Sequence, residues 1–212
     1  MQGRSPDAFA SDVSQRGGKM LETLAAVGFG GVLVNRDGYT DEGAAIESEF
    51  LGVLGIRPMT STSGRLAFYD LGAYRRRVNE LPPPERDRVL HPLMFSFVKG
   101  FYPIEHGPGG TFRWSDSRGE LRVENDMQEV RRASIRMTLS AASPPARLTM
   151  AGELLSATVD LSPGGVQFVR SIDVPPGRHA IRFVCDGRRA DAPSDPRTMV
   201  WRIENFDFDE QP

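Results

Sequence analysis

The residues best equipped for chemistry fall in one short segment, Gly100-Phe101-Tyr102-Pro103-Ile104-Glu105-His106, a glycine-rich turn, then Thr111-Phe112-Arg113-Trp114-Ser115. Tyr102, Glu105, His106, Arg113 and Trp114 supply the mixture that saccharides need. Aromatic faces pack against sugar C–H surfaces, while carboxylates and guanidiniums take the hydroxyls. A structural reading stands beside this one: a tryptophan on an alternating strand plugs a core, and a Glu–Arg pair across a hairpin is a cross-strand ion pair. Successive side chains on a strand point to opposite faces, so Arg113 and Trp114 part company. The expectation is Trp114 inward and Arg113 outward, with Glu105 pairing to Arg113. Glycoside hydrolysis would need two carboxylates ~5–9 Å apart across one cleft, and Glu105 has no sequence-evident partner beyond Glu124 or Asp116. No residue is therefore assigned a catalytic role.

Other clusters yield less. Gly28-Phe29-Gly30-Gly31 precedes a strand, whereas a phosphate-binding loop follows a strand and opens a helix. Asp37, Asp41 and Glu42 could offer oxygen ligands to a hard cation, but turn formation and helix capping account for Asp37-Gly38 and Asp41 equally well. His91, His106 and His179 are scattered without a partner at ligand spacing, so neither a metal nor any other cofactor is expected. The single cysteine, Cys185, lies in the alternating run Ile181-Arg182-Phe183-Val184-Cys185 and reads as a buried thiol.

Two differently patterned halves must position these residues. From Lys19 to Val27 the apolar spacing is helical and Gly28 is placed to end the helix. A strand follows over Phe29–Asn35, then a turn at Arg36-Asp37-Gly38-Tyr39. A helix capped by Thr40 or Asp41 runs to Leu54, then a strand over Arg65–Tyr69 and a helix over Leu71–Leu81. Residues 1–84 thus read as a small α/β part, the closing piece of a larger sheet, with Pro82-Pro83-Pro84 stopping the last helix and starting a linker. Residues 93–212 change rhythm. Candidate strands are Leu93–Val98, Thr111–Trp114, Glu120–Glu124, Ala133–Ser140, Arg147–Met150, Leu154–Leu161, Val166–Val174, His179–Cys185 and Thr198–Phe208, with turns at Ser143-Pro144-Pro145, Ser162-Pro163-Gly164-Gly165, Pro175-Pro176-Gly177 and Ala192-Pro193-Ser194-Asp195-Pro196. Ile135, Met137 and Leu139 share one face and Arg136 and Thr138 the other, the period of a half-buried strand. About nine such strands predict two stacked antiparallel sheets, a jelly-roll-like β-sandwich, and an α+β chain as a whole.

Composition bounds the function. The chain has 212 residues, 39% hydrophobic and 25% charged, ordinary values for a globular protein. A net charge of -2 gives no electrostatic footprint for nucleic acid, and the clusters Arg75-Arg76-Arg77, Arg131-Arg132 and Arg188-Arg189 read as solvated faces. The longest apolar runs, such as Gly30–Val34, are too short to cross a bilayer, and Met1–Asp7 lacks the apolar core of a signal peptide.

Three stretches carry a resemblance: Met1-Gln2-Gly3-Arg4; Leu24-Ala25-Ala26-Val27-Gly28-Phe29 through Gly38-Tyr39; and Gly64-Arg65-Leu66-Ala67-Phe68-Tyr69-Asp70-Leu71. Together they resemble the region after the transmembrane helices of large bacterial membrane proteins, similar to envelope glycosyltransferases and to phosphoglycerol-transferase or sulfatase-like proteins. Gly100–Ser115, and the ending from Pro175-Pro176-Gly177 through Trp201-Arg202-Ile203-Glu204-Asn205-Phe206, resemble the sandwich that closes such chains. The resemblance implies a non-catalytic, carbohydrate-contacting or accessory module of an envelope polysaccharide protein. It also admits the C-terminal fragment of a sulfatase-like enzyme whose metal site lies upstream, or a structural protein-interaction domain. The implied partners are a glycan and a membrane-embedded parent region. The implied location is extracytoplasmic within such a parent, and cytoplasmic if the chain is made alone. Oligomeric state is left open.

Overall fold

The computed structural model describes residues 17–162 and 164–211. Met1–Arg4, which carries part of the resemblance, and Pro163 of the predicted turn lie outside them. The chain divides into two compact units, one ending at Pro92 and the other beginning at Leu93.

In the first unit, α1 (Gly17–Ala26) ends in the glycine-terminated arrangement expected of its sequence: Gly28 takes φ 101°, its N–H reaches the Ala25 carbonyl, and the Phe29 N–H reaches Leu24. β1 (Gly31–Asn35), β2 (Met59–Thr60) and β3 (Leu66–Asp70) form an antiparallel sheet in the order β1-β3-β2. Helix α2 (Ala44–Leu54) has Gly43 at its N-cap, and just before it the Asp41 carboxylate accepts from the Gly43 and Ala45 N–H groups at 3.1 and 2.9 Å. Asp37 is held by Arg65. An ion pair therefore occupies the Asp37 carboxylate, and the start of α2 occupies that of Asp41. Leu21, Val34, Phe50, Ala67 and Tyr69 pack between helices and sheet, with the Phe50 and Tyr69 rings edge to face at 5.2 Å.

The triproline does not open a linker. α3 (Gly72–Asn79) ends before it, and α4 (Pro83–Leu90) begins within it, with Pro82 at the N-cap. Proline suits a first helical turn because its missing N–H would lack an intrahelical acceptor there anyway. Val89 and Leu90 of α4 then pack on Ala25, Ala26 and Val78.

The second unit is a mostly antiparallel β-sandwich. Its strands are β4 (Met94–Phe101), β5 (Glu105–Gly107), β6 (Gly110–Asn125), β7 (Arg131–Ala141), β8 (Ala146–Ala151), β9 (Ala157–Leu161), β10 (Val166–Val174), β11 (Gly177–Cys185) and β12 (Trp201–Gln211). The two predicted strands Thr111–Trp114 and Glu120–Glu124 are one strand, β6, shared between two leaves. Its first part pairs with β12 and β5, and its second with β11 and β4. One leaf is thus β10-β7-β12-β6-β5 and the other β4-β6-β11-β8-β9. Ile135, Met137 and Leu139 point between them and meet Leu121, Ile181 and Phe183 in a single apolar core. Cys185 is buried there, and burial pushes its thiol pKa up.

Candidate functional site

Strand parity decides what the first leaf presents. Trp201 is fully buried and stands directly opposite Ser115, whose hydroxyl donates to the Gly100 carbonyl at 2.7 Å. The next pair along, Trp114 and Arg202, therefore lies on the outer face, followed by Arg113 and Ile203 inside and by Phe112 and Glu204 outside. The expectation for Trp114 and Arg113 is thereby reversed. Trp201 fills the core with Phe101 and Phe183, ring centroids 5.4 and 5.3 Å away, which leaves the Trp114 indole no place inside. Arg113 lies on the inner side with its guanidinium 5.1 Å from the Phe97 ring.

The outer face gathers a set of side chains around Trp114. The Arg202 guanidinium stands over both the Phe112 and Trp114 rings, at 5.2 and 5.1 Å, within cation–π range. Its Nε donates to Glu204 Oε1 at 3.0 Å, and the same oxygen accepts from the Ser140 hydroxyl at 2.5 Å. Beyond Glu204 the row continues across the leaf to Thr138 and then Gln167, whose amide donates to the Thr138 hydroxyl at 2.7 Å.

Glu105 on β5 stands opposite Phe112 and shares its face, so it cannot reach Arg113. Its partner is Arg197, on the segment before β12, which donates to Glu105 Oε1 at 2.6 Å and makes further hydrogen bonds to Asp195. The same guanidinium sits 5.4 Å above the Tyr102 ring, and the Tyr102 hydroxyl accepts from the Thr198 N–H at 3.0 Å. The hydrogen bonds from Arg197 hold the Asp195 carboxyl down at about pH 2 on the titration scale, and raise the Arg197 pKa in turn. His106 pairs with Thr111 and is exposed on the opposite side of β5 from Glu105. The structure thus brings Tyr102, Glu105 and Trp114 to one face and leaves Arg113 and His106 off it.

Phe112, Ser140, Asp195, Arg197, Arg202 and Glu204 join them there and are not legible in the sequence as members of the face. The available signal was parity. Leu121 and Val123 are inward on β6, and counting back by twos reaches Ser115, which leaves Trp114 and Phe112 outside.

No family model matches the chain, and no curated protein matches it in sequence. Among solved structures it is similar to the C-terminal family 6 carbohydrate-binding module of a marine laminarinase from Zobellia galactanivorans, at 9% identity and TM-score 0.33, over 55% of this chain and 98% of that one. A carbohydrate-binding module of a Cellvibrio mixtus lichenase, in complex with cellotriose, gives 12% identity and TM-score 0.32 over 54% of this chain and 89% of that one. A secreted serine protease from Vibrio cholerae gives 12% identity and TM-score 0.33 over 61% of this chain and 27% of that one. At these values the comparisons assign neither a ligand nor a residue role.

Proposed function

We propose that the sandwich unit is a non-catalytic, carbohydrate-contacting module, and that a glycan lies on the outer face around Trp114. The observation that supports this most directly is the placement of Phe112 and Trp114 on the open face of a sheet, among paired guanidinium and carboxylate groups, while Trp201 fills the core. Aromatic rings take the C–H face of a sugar, and the neighbouring Arg202, Glu204 and Ser140 offer donors and acceptors to its hydroxyls. The same geometry does not suit Asp195 to act as a glycosidase acid. A glycosidase acid needs a raised pKa, whereas Asp195 is held down to about 2 by its arginine. Affinity electrophoresis of the wild type and Trp114→Ala through gels containing defined polysaccharides tests the reading. Retardation of the wild type that disappears in the variant is expected; a panel with no retardation of the wild type refutes it.

We propose further that the first unit is the closing part of a larger α/β fold in a bacterial envelope protein of the glycosyltransferase or sulfatase-like kind, on the extracytoplasmic side. Its sheet supports this: Leu33, Phe68 and Met59 are in register across all three strands, on the face away from the Val34, Ala67 and Tyr69 core. Leu33 and Met59 are 58% and 63% exposed. A sheet face of this kind is ordinarily covered. Transcript mapping tests the parentage: a message continuing upstream in frame into apolar helices is expected, and an in-frame stop just upstream of Met1 refutes it.

A further inference from the structure

Each strand of the first leaf contributes one outward side chain to a single row. Glu105 on β5 stands opposite Phe112 on β6, Phe112 opposite Glu204 on β12, Glu204 opposite Thr138 on β7, and Thr138 opposite Gln167 on β10. The row crosses four inter-strand steps, about 19 Å at the usual spacing. On β12 the register holds through Glu204 and shifts only beyond it, which keeps the row unbroken. A shorter row of Trp114, Arg202 and Ser140 runs beside it. At the β10 end a Cβ on Gly165 would lie 2.7 Å from the Thr138 methyl and 3.0 Å from the Ser140 hydroxyl, so the glycine leaves that end clear.

The direction of the rows matters because β6 does not extend the aromatic platform along its own length. Beyond Ser115 its partners are β4 and β11 of the other leaf. From Phe112 and Trp114 the face therefore continues sideways, across the strands, into Glu204, Thr138 and Gln167. These groups suit a series of hydroxyls. Glu204 takes both Arg202 and Ser140 on Oε1 and keeps Oε2 to accept. The exposed Gln167 amide donates to the Thr138 hydroxyl, which retains its own proton to donate, and the Gln167 carbonyl oxygen remains an acceptor. A single sugar ring laid on Phe112 or Trp114 does not span the row as far as Gln167. One hydrogen bond adds only roughly two- to tenfold in affinity, so an open face holds a ligand firmly only by summing contacts along several units.

We infer that the ligand is a saccharide chain of several units lying across the strands, from Phe112 and Trp114 to Thr138 and Gln167, and that single sugars and disaccharides are held weakly. The inference rests on the carbohydrate-contacting reading proposed above and adds the size and direction of the ligand to it. The test uses the whole chain. Affinity electrophoresis through β-glucan, xylan, galactan, mannan, alginate and polygalacturonate identifies a retaining polymer, and isothermal titration calorimetry follows binding of that polymer's own oligosaccharides from one unit to six. Association constants are expected to rise roughly tenfold or more between the disaccharide and the longest chains. Gln167→Ala is expected to weaken the hexasaccharide roughly three- to tenfold, so that the gain from lengthening the chain shrinks. Ser171→Ala, exposed on the same face of β10 two outward positions further along, is expected to leave the series unchanged. A single sugar or disaccharide bound as tightly as the hexasaccharide, or a loss with Ser171→Ala in place of Gln167→Ala, overturns the inference and leaves the carbohydrate reading standing. Retention by no polymer removes both.

Discussion

Trp114 and Trp201 occupy opposite sides of one sheet, and their replacement should separate two kinds of effect. Trp201→Ala empties a site packed by Phe101 and Phe183 and is expected to cost about 3–5 kcal/mol in chemical denaturation. Trp114→Ala removes a partly buried indole from an open face. Its melting temperature should stay near that of the wild type while glycan retention is lost; a large drop in melting would make the indole structural after all. Asp195 supports a second prediction. Its folded pKa, about 2, lies below the ordinary 3.8, so the pairing with Arg197 contributes fully above about pH 4 and is lost as the pH falls through about 2. NMR titration of the Asp195 carboxyl should report that depressed midpoint, and Arg197→Ala should return it toward 3.8. What the sequence disclosed at this scale was the hairpin's chemistry. It did not disclose Arg197, which lies 92 residues from Glu105 and meets it only because β12 and β5 both border the first part of β6.

Strand β6 is the element on which the site depends. The candidate strands Thr111–Trp114 and Glu120–Glu124 leave Ser115-Asp116-Ser117-Arg118-Gly119 between them, and that break discards the parity that fixes Trp114. The segment remains strand because it is where β6 passes from one leaf to the other. Gly100 and Gly119 permit that passage: a Cβ on Gly119 would lie 2.6 Å from the Phe101 ring, and one on Gly100 would lie 1.7 Å from the Arg118 carbonyl oxygen. Gly100 also takes φ 70°, which a side chain resists. Gly100→Ala is therefore expected to cost about 2 kcal/mol or more and to weaken ligand binding through β6; a variant as stable as the wild type would show that the crossing does not need the glycine. A second device sits at β12, where the register shifts between Glu204 and Asp207 and Asn205 takes φ 49°. Its side chain accepts from the Thr111 N–H at 3.0 Å and donates to the Gly109 carbonyl at 2.9 Å, pinning the β5–β6 turn beside the site. Proline, glycine and alternation made most strands readable. A bulge and a glycine crossing leave no such mark, since both are set by packing between leaves.

The two units differ in how completely each closes its own core, and this sets their expected independence. The sandwich buries apolar side chains from both leaves in one cluster, with an aromatic series running from Phe208 through Phe95, Phe206, Phe97 and Phe101 to Trp201. Among the described residues, the apolar cluster of the first unit lies on one face of a short sheet, and Leu33 and Met59 on the other are largely exposed. Small cores of this kind are marginal, because conformational entropy grows with every ordered residue while burial does not keep pace. A fragment of residues 93–212 is therefore expected to unfold cooperatively and to retain glycan retardation. A fragment of residues 1–92 is expected to show no cooperative transition and to bind a hydrophobic dye, since its exposed sheet face remains open. Differential scanning calorimetry of the two fragments decides the matter: a sharp heat-absorption peak from residues 1–92 would show that this unit is self-sufficient and that its apolar sheet face needs no cover.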